Sequence, residues 1–293
     1  MKKIICMIIL LAIVGFAGNV FAGGFGNFMK KINLNVGIEN QSFTVDLKDI
    51  EWNIKGSGNL IFTPMPRDYM IANPTYKFSF RDEFPGSFSD NITYLTIGFG
   101  WDRLSFKIKP GFLNSSEFKV HDEFGEQVEY DGDSDVVLGI EVNAKILKNF
   151  WGMDLDLGVG YSQYNTESSL TENGAPIQAL FLGSYEEKSK LSVKKVNIDL
   201  LLGKMFSPGI FNIRAGVGPS FYQNNIEGST SYTHKTSFFE ERGDVSFKSK
   251  ARGVLGKVTL DVSHKKFKNL SLGIDFAGDK EVKVAIARLN YSF

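Results

Sequence analysis

The chain has 293 residues, with 33 basic and 33 acidic side chains, 43% hydrophobic residues and a mean hydropathy of −0.10. Such a charge balance excludes the strongly basic surface that nucleic-acid binding requires. The single cysteine, Cys6, lies in a segment expected to be removed, so the remainder is predicted to hold no disulfide and no thiolate metal ligand.

Lys2 and Lys3 precede an apolar run from Ile4 to Val14, and Val20-Phe21-Ala22 puts small residues where a signal peptidase reads them. Residues 1–22 are therefore expected to be an export signal, and 23–293 one β-barrel domain. Cys6 stands too early to be a lipid-modified residue, which would directly follow the cleavage site. Beyond residue 22 no apolar run approaches the ~18 residues of a membrane helix. A barrel satisfies these facts equally well, because it hides its lipid-facing residues at every second position.

In chain order, Leu34, Val36 and Ile38 alternate with polar neighbours, then Phe43, Val45 and Leu47, and the segment from Trp52 to Phe62 could return as a second strand. Pro64, Pro66 and Pro74 break any continuous strand before Tyr76, Phe78 and Phe80. Leu95, Ile97, Phe99 and Trp101 pair with Leu104, Phe106 and Ile108 across a turn at Asp102-Arg103. From Val136 to Ile146 the even positions are apolar, and Leu155, Leu157, Val159 and Tyr161 resume the pattern. Val196 to Leu202, Phe211 to Val217, Val254 to Val262, Leu270 to Phe276 and Val282 to Phe293 repeat it. Each segment has one greasy and one polar face, and lengths of ~10–13 residues suit a tilted membrane strand better than a soluble one.

Connections alternate too. Leu147–Phe150, Met205–Ile210 and His264–Asn269 are short, whereas 114–135, 165–190 and 223–249 are long and polar and are expected to be loops. Short turns on the periplasmic side and long loops outside are the pattern of outer-membrane barrels. Trp101, Trp151, Phe211, Tyr291 and Phe293 lie beside the short turns, where membrane-interface aromatics belong.

Leu289-Asn290-Tyr291-Ser292-Phe293 resembles the C-terminal assembly signal of outer-membrane β-barrel proteins, and 212–219 resembles strands of the broad porin-like superfamily. Arg288 stands where that signal commonly has glycine. The resemblance implies an exported, multi-pass barrel in the cell outer membrane of a Gram-negative bacterium. Its partners would be outer-membrane lipids, lipopolysaccharide and, through the last strand, the barrel assembly machinery. The predicted fold is an all-β, closed, antiparallel up-and-down barrel of twelve strands, with ten as the alternative.

Charged residues on the polar faces would be costly in lipid and are assigned to the lumen. These are Lys107, Lys109, Glu141, Lys145, Asp154, Asp156, Asp199, Arg214, Lys257, Asp261, Asp275 and Arg288, with Lys77, Arg81 and Arg103 as further basic candidates. They could line water or pair into networks that fill the barrel.

Little else points to chemistry, and neither a cofactor nor a metal is expected. Of three histidines, His264 sits in a short turn, while His121 and His234 fall in long loops, the latter with Ser229 and Ser231. Asp131-Gly132-Asp133-Ser134-Asp135 mimics half a calcium loop, but Val136 and Val142 occupy the glycine and glutamate positions. Lys194-Lys195 and Lys248 to Lys250 stand at strand ends where they could meet lipid phosphates. The expected function is a porin-like passive channel for small solutes or ions. The alternatives are a non-conducting adhesin or structural barrel and, less favoured, a hydrolase or acyltransferase working at the outer rim.

Overall fold

The computed structural model describes residues 33–48, 50–60, 75–82, 86–101, 103–121, 127–132, 135–172, 175–176, 184–235, 239–267 and 269–293. The expected export signal lies outside them. The described residues form fourteen strands: β1 (Asn33–Leu47), β2 (Ile50–Leu60), β3 (Thr75–Asp82), β4 (Gly86–Trp101), β5 (Leu104–His121), β6 (Gln127–Gly132), β7 (Val136–Phe150), β8 (Met153–Glu172), β9 (Ala175–Pro176), β10 (Ser184–Phe206), β11 (Phe211–Lys235), β12 (Phe239–His264), β13 (Leu270–Gly278) and β14 (Val282–Ser292).

Ten of them close a ring. The order β1-β4-β5-β7-β8-β10-β11-β12-β13-β14 returns to β1, every contact antiparallel. The last strand thus pairs with the first, Tyr291 opposite Val36 and Val282 opposite Val45, and this part of the sheet has no free edge. Ten is the second of the two counts the sequence allows. The extra N-terminal segments do not enter the ring. β2 runs in the same direction as β1, and β3 in the same direction as β4, so each pair extends one stave of the barrel.

The segments expected to be long loops are largely strand. β5 and β6 pair from Ser116–Gly132 to His121–Gln127, and β11 and β12 remain in register from Phe211–His264 to Lys235–Glu240. At about 3.3 Å per residue, the 25 residues of β11 reach about 80 Å, more than twice the ~9–11 residues that cross a bilayer. Sequence composition concealed this. Inward positions here mix Ser116, Ser189, Thr230 and Gly243 with Phe118, Val120, Tyr130, Ile226 and Phe247, so the apolar two-residue period is interrupted.

The extension also narrows. β13 and β14 stop at Gly278 and Val282, and above that hairpin β2 takes the place beside β12, Ile50 opposite Ser249. Eight staves then bound the interior, close to the width that side chains alone can fill. They do fill it. Phe43, Val45, Leu47, Ile50, Phe88, Phe118, Tyr130, Leu191, Val193, Ile226 and Phe247 form one buried apolar cluster. Phe118 and Phe247, from strands that are not paired, stack with ring centroids 4.0 Å apart, and Tyr130 meets Phe247 edge-on at 5.1 Å. Burial pushes the Tyr130 phenol up to about 12. Gly228 is required opposite this stack, since a Cβ there would lie 1.9 Å from the Phe247 ring.

The alternation therefore changes sense along single strands. Low on β1, Ile38 points out, 55% exposed, and Glu39 points in; higher up Phe43, Val45 and Leu47 point in while Thr44 and Asp46 point out. On β12, Val254, Val258 and Leu260 face out below, whereas Phe247 faces in and Lys248 and Lys250 face out above. Phe247→Ala should cost about 3–5 kcal/mol as an aromatic-to-alanine core truncation. It should open the long-hairpin half to protease before the ring is lost, measured by limited proteolysis alongside urea unfolding.

Candidate functional site: a charged interior beneath an apolar section

Below the apolar section the ring encloses a cavity of about 440 Å3. It reaches from Asn33, Gly100 and Arg103 at the short-turn end to Phe43, Tyr94 and Leu255 beneath the apolar cluster. Inward side chains from adjacent and next-but-one strands meet around it.

Lys107 is directly opposite Glu141 and donates to it at 2.7 Å. Two residues up the same face, Lys109 reaches Glu39 at 2.5 Å and Glu141 at 3.5 Å. Asn143 supplies Glu141 with a further donor at 2.7 Å. Across the ring, Arg288 holds Asp275 at 2.6 Å and Asp261 at 3.1 Å. Gly273 lies between Asp261 and Arg288 in register, and a Cβ there would come within 2.3 Å of the Asp261 carboxylate. Only a bare backbone lets the guanidinium cross that strand. Lys257 binds Asp199 at 2.6 Å, and Ser220 donates to the same carboxylate at 2.5 Å. Nearer the short turns, Lys145 pairs with Asp154 at 2.7 Å, and Arg214 pairs with Asp156.

All twelve charged residues assigned to the lumen by alternation thus engage partners within these networks. Lys77 and Arg81 lie in β3, whose side chains fall outside the described residues. Arg103 is exposed in the β4–β5 turn at the cavity's lower end.

Four residues of the interior escaped sequence reasoning. Asp90, 3% exposed, accepts from Lys195 and, at 2.8 Å, from the Tyr164 hydroxyl, which also contacts Ser116 at 3.1 Å. Lys195 also lies 4.5 Å from the Phe43 ring. This corrects the placement of Lys195 among outward bases: it points into the barrel, while Lys194 points out. Glu39 is the fourth, and it has the parity of Phe43 and Val45, which a single apolar phase assigns to the greasy face. A phase change between Ile38 and Phe43 is the signal that finds it.

The aromatics gather at the short-turn end. Trp101, Phe211, Tyr291 and Phe293 are exposed there, and Trp151 is 83% exposed in a turn where it and Asn149 both take φ of 55°. Phe150 stacks on Trp151 with centroids 4.9 Å apart, and Tyr291 meets Phe293 at 5.0 Å.

The histidine arrangement weighed for catalysis does not assemble on β11. Ser231 and His234 differ by an odd number of residues, so they face opposite sides of the strand, and Ser231 donates to Asp244 at 2.7 Å instead. The His121 side chain lies outside the described residues. His264, in the β12–β13 turn, accepts from the Lys266 amide at 3.0 Å. Asp131 approaches Glu117 and Glu129, but Lys119 lies 2.6 Å from Glu117 and 3.2 Å from Glu129, supplying the positive charge there. Asp133 and Ser134 are outside the described residues.

No family model and no curated protein matches this chain. Among solved structures it is similar to outer-membrane β-barrel proteins. The outer membrane protease OmpT from Escherichia coli matches with 9% identity and a TM-score of 0.41, over 89% of this chain and 97% of that one. The translocator domain of the autotransporter NalP from Neisseria meningitidis matches with 9% identity and a TM-score of 0.37, over 89% and 88%. OprG from Pseudomonas aeruginosa matches with 10% identity and a TM-score of 0.33, over 88% and 95%. These values are too low to carry function from any of them to this chain.

Lys195→Met should destabilise the barrel by about 3–5 kcal/mol, because it strands a buried Asp90 carboxylate. Lys195→Met combined with Asp90→Leu should recover most of that loss in the same urea unfolding assay, since an apolar pair leaves no charge unmatched.

Proposed function

We propose that this chain is an outer-membrane β-barrel that does not conduct solutes and that carries a rigid β-structured platform above the membrane for surface contacts. The outward apolar residues of the ten-strand ring support the membrane placement. In water they would form an exposed apolar surface far larger than a soluble monomer carries, whereas in hydrocarbon they cost nothing. Ring closure supports it as well, since lipid offers no partner to an unpaired strand edge. The short-turn end with Trp101, Trp151, Phe211, Tyr291 and Phe293 then faces the periplasm, and the long hairpins face outward.

The observation that carries the non-conducting reading is the packed apolar section across the bore. A passive channel needs a continuous water path. Here Phe118 and Phe247 are fully buried and stacked across the interior at 4.0 Å, with Leu191, Val193, Ile226 and Phe88 packed in the same cluster. The charges below are bound to one another rather than left to draw ions through. They balance the cost of polar side chains inside a narrow ring, and the 440 Å3 cavity ends beneath the apolar section.

Extension of the hairpins as paired strands favours a surface role over a flexible one. A platform whose backbone groups are already bonded loses little entropy when it meets a partner. The rim-enzyme reading draws no support from Ser231 and His234, which stand on opposite faces.

In planar bilayers the refolded full-length chain should show no conductance above the lipid baseline, while Phe118→Gly/Phe247→Gly should admit intermittent current. Steady ohmic steps from the unmodified protein would overturn the closed reading and restore the passive channel.

A further inference from the structure

Charge on the outward face is distributed unevenly at the upper edge of the apolar belt. Three rows of register cross β8, β10, β11 and β12. The lowest contains Val159, Ile198, Phe221 and Val254, all pointing out and apolar. The next contains Tyr161, Val196, Gln223 and Arg252, and the third Gln163, Lys194, Asn225 and Lys250. The Tyr161 hydroxyl donates to Gln163 at 2.6 Å, spanning the step from apolar to polar. Lys194, Arg252 and Lys250 therefore follow directly upon the last apolar row, and all three are exposed. Lys194 and Lys250 are two strands apart, or about 10 Å, with Asn225 between them.

These cations differ from the others near them. Every inward lysine and arginine of the charged networks is bound to a carboxylate. One row higher, Lys248 has Glu227 at 3.6 Å, and at the neighbouring hairpin tip Glu281 is taken by Lys48. Lys194, Arg252 and Lys250 make no ion pair among the described residues. On the β1–β4–β5 side, Asn40, Asn91, Thr93 and Asn114 hydrogen-bond to one another near this level, with Lys283 one row higher on β14 as a single exposed cation. The positive charge is thus concentrated on one face, at the depth where a bilayer presents phosphate.

We infer that Lys194, Lys250 and Arg252 form a binding site for the phosphate groups of a lipopolysaccharide molecule, its acyl chains lying on Ile198, Phe221 and Val254. The inference rests on the outer-membrane reading. Three unpaired cations within about 10 Å suit a headgroup bearing more than one phosphate, and the outward side of the belt is the leaflet that holds such lipids. The apolar row beneath and the cations above match the two ends of that ligand. Phospholipid offers one phosphate per molecule and engages fewer of these charges at a time.

The test uses the full-length protein refolded in detergent and titrated with deep-rough lipopolysaccharide, or with phosphatidylglycerol, followed by native mass spectrometry. Lys194→Gln/Lys250→Gln/Arg252→Gln should weaken lipopolysaccharide binding at least about tenfold, each cation near a membrane surface contributing on the order of 1 kcal/mol. Lys188→Gln, higher on β10, should leave it unchanged. Equal binding of lipopolysaccharide by the triple variant and the unmodified chain overturns the site. So does an equal loss for phosphatidylglycerol, which would reveal only a general anionic surface. Vesicle insertion with heat-modifiable migration is recorded for each protein. Failure of the unmodified chain to insert would sink the membrane reading itself, whereas unaltered lipopolysaccharide binding by an inserted triple variant sinks this inference alone.

Discussion

A strand presents successive side chains to opposite sides, and in a closed ring those sides are an inside and an outside. The lower ring places Phe106, Ile140, Val258 and Leu272 outside and Lys107, Glu141, Lys257 and Arg288 inside. The upper extension reverses the arrangement, with Phe43, Phe118 and Phe247 inside and Thr44, Lys190 and Lys248 outside. Both halves obey one rule, that apolar side chains avoid water. On the proposed membrane placement, what changes is where the water is, and the reversal along β1, β11 and β12 marks where hydrocarbon gives way to solvent.

The interior follows from that boundary. Inside the ten-strand ring there is room that apolar side chains cannot occupy without removing the outward-apolar, inward-polar contrast, and charges there survive because they are paired and hydrogen-bonded. Asp275 between Arg288 and Lys257, and Glu141 between Lys107 and Lys109, each take two cations. Where β13 and β14 end, the perimeter loses two staves and the bore becomes narrow enough for rings to meet. Asp90, Lys195 and Tyr164 occupy the junction, as a buried polar layer directly beneath Phe43 and Phe88. A packed throat thus stands above a salt-bridged chamber, and Lys194, Lys250 and Arg252 lie on the outside.

The ring was legible because its strands alternate strongly. Val136 to Ile146, and Leu270 to Phe276 against Ser271, Gly273 and Asp275, leave no other regular reading, and the inward charges followed from parity. The upper halves of β5, β8, β10, β11 and β12 were not legible as strand, because Ser, Thr and Gly interrupt the apolar positions of the inward face and the outward face is polar and charged. Glu39 was missed because it shares the parity of Phe43 and Val45, and Lys195 was placed outward by its position at a strand end although the parity of Val196 and Ile198 points it inward.

The sequence by itself determined the two-residue period, the short turns and the sign and parity of the twelve charges assigned from it to the interior, because these are local properties of an extended chain. The tertiary structure decided which charges meet, that ten staves close the ring, and that β2 slides over the β13–β14 hairpin to narrow the bore. Those outcomes depend on register between strands as far apart in sequence as β2 and β12, and no local pattern encodes it. Whether the barrel is open or filled is a matter of circumference, and circumference exists only once the ring has closed.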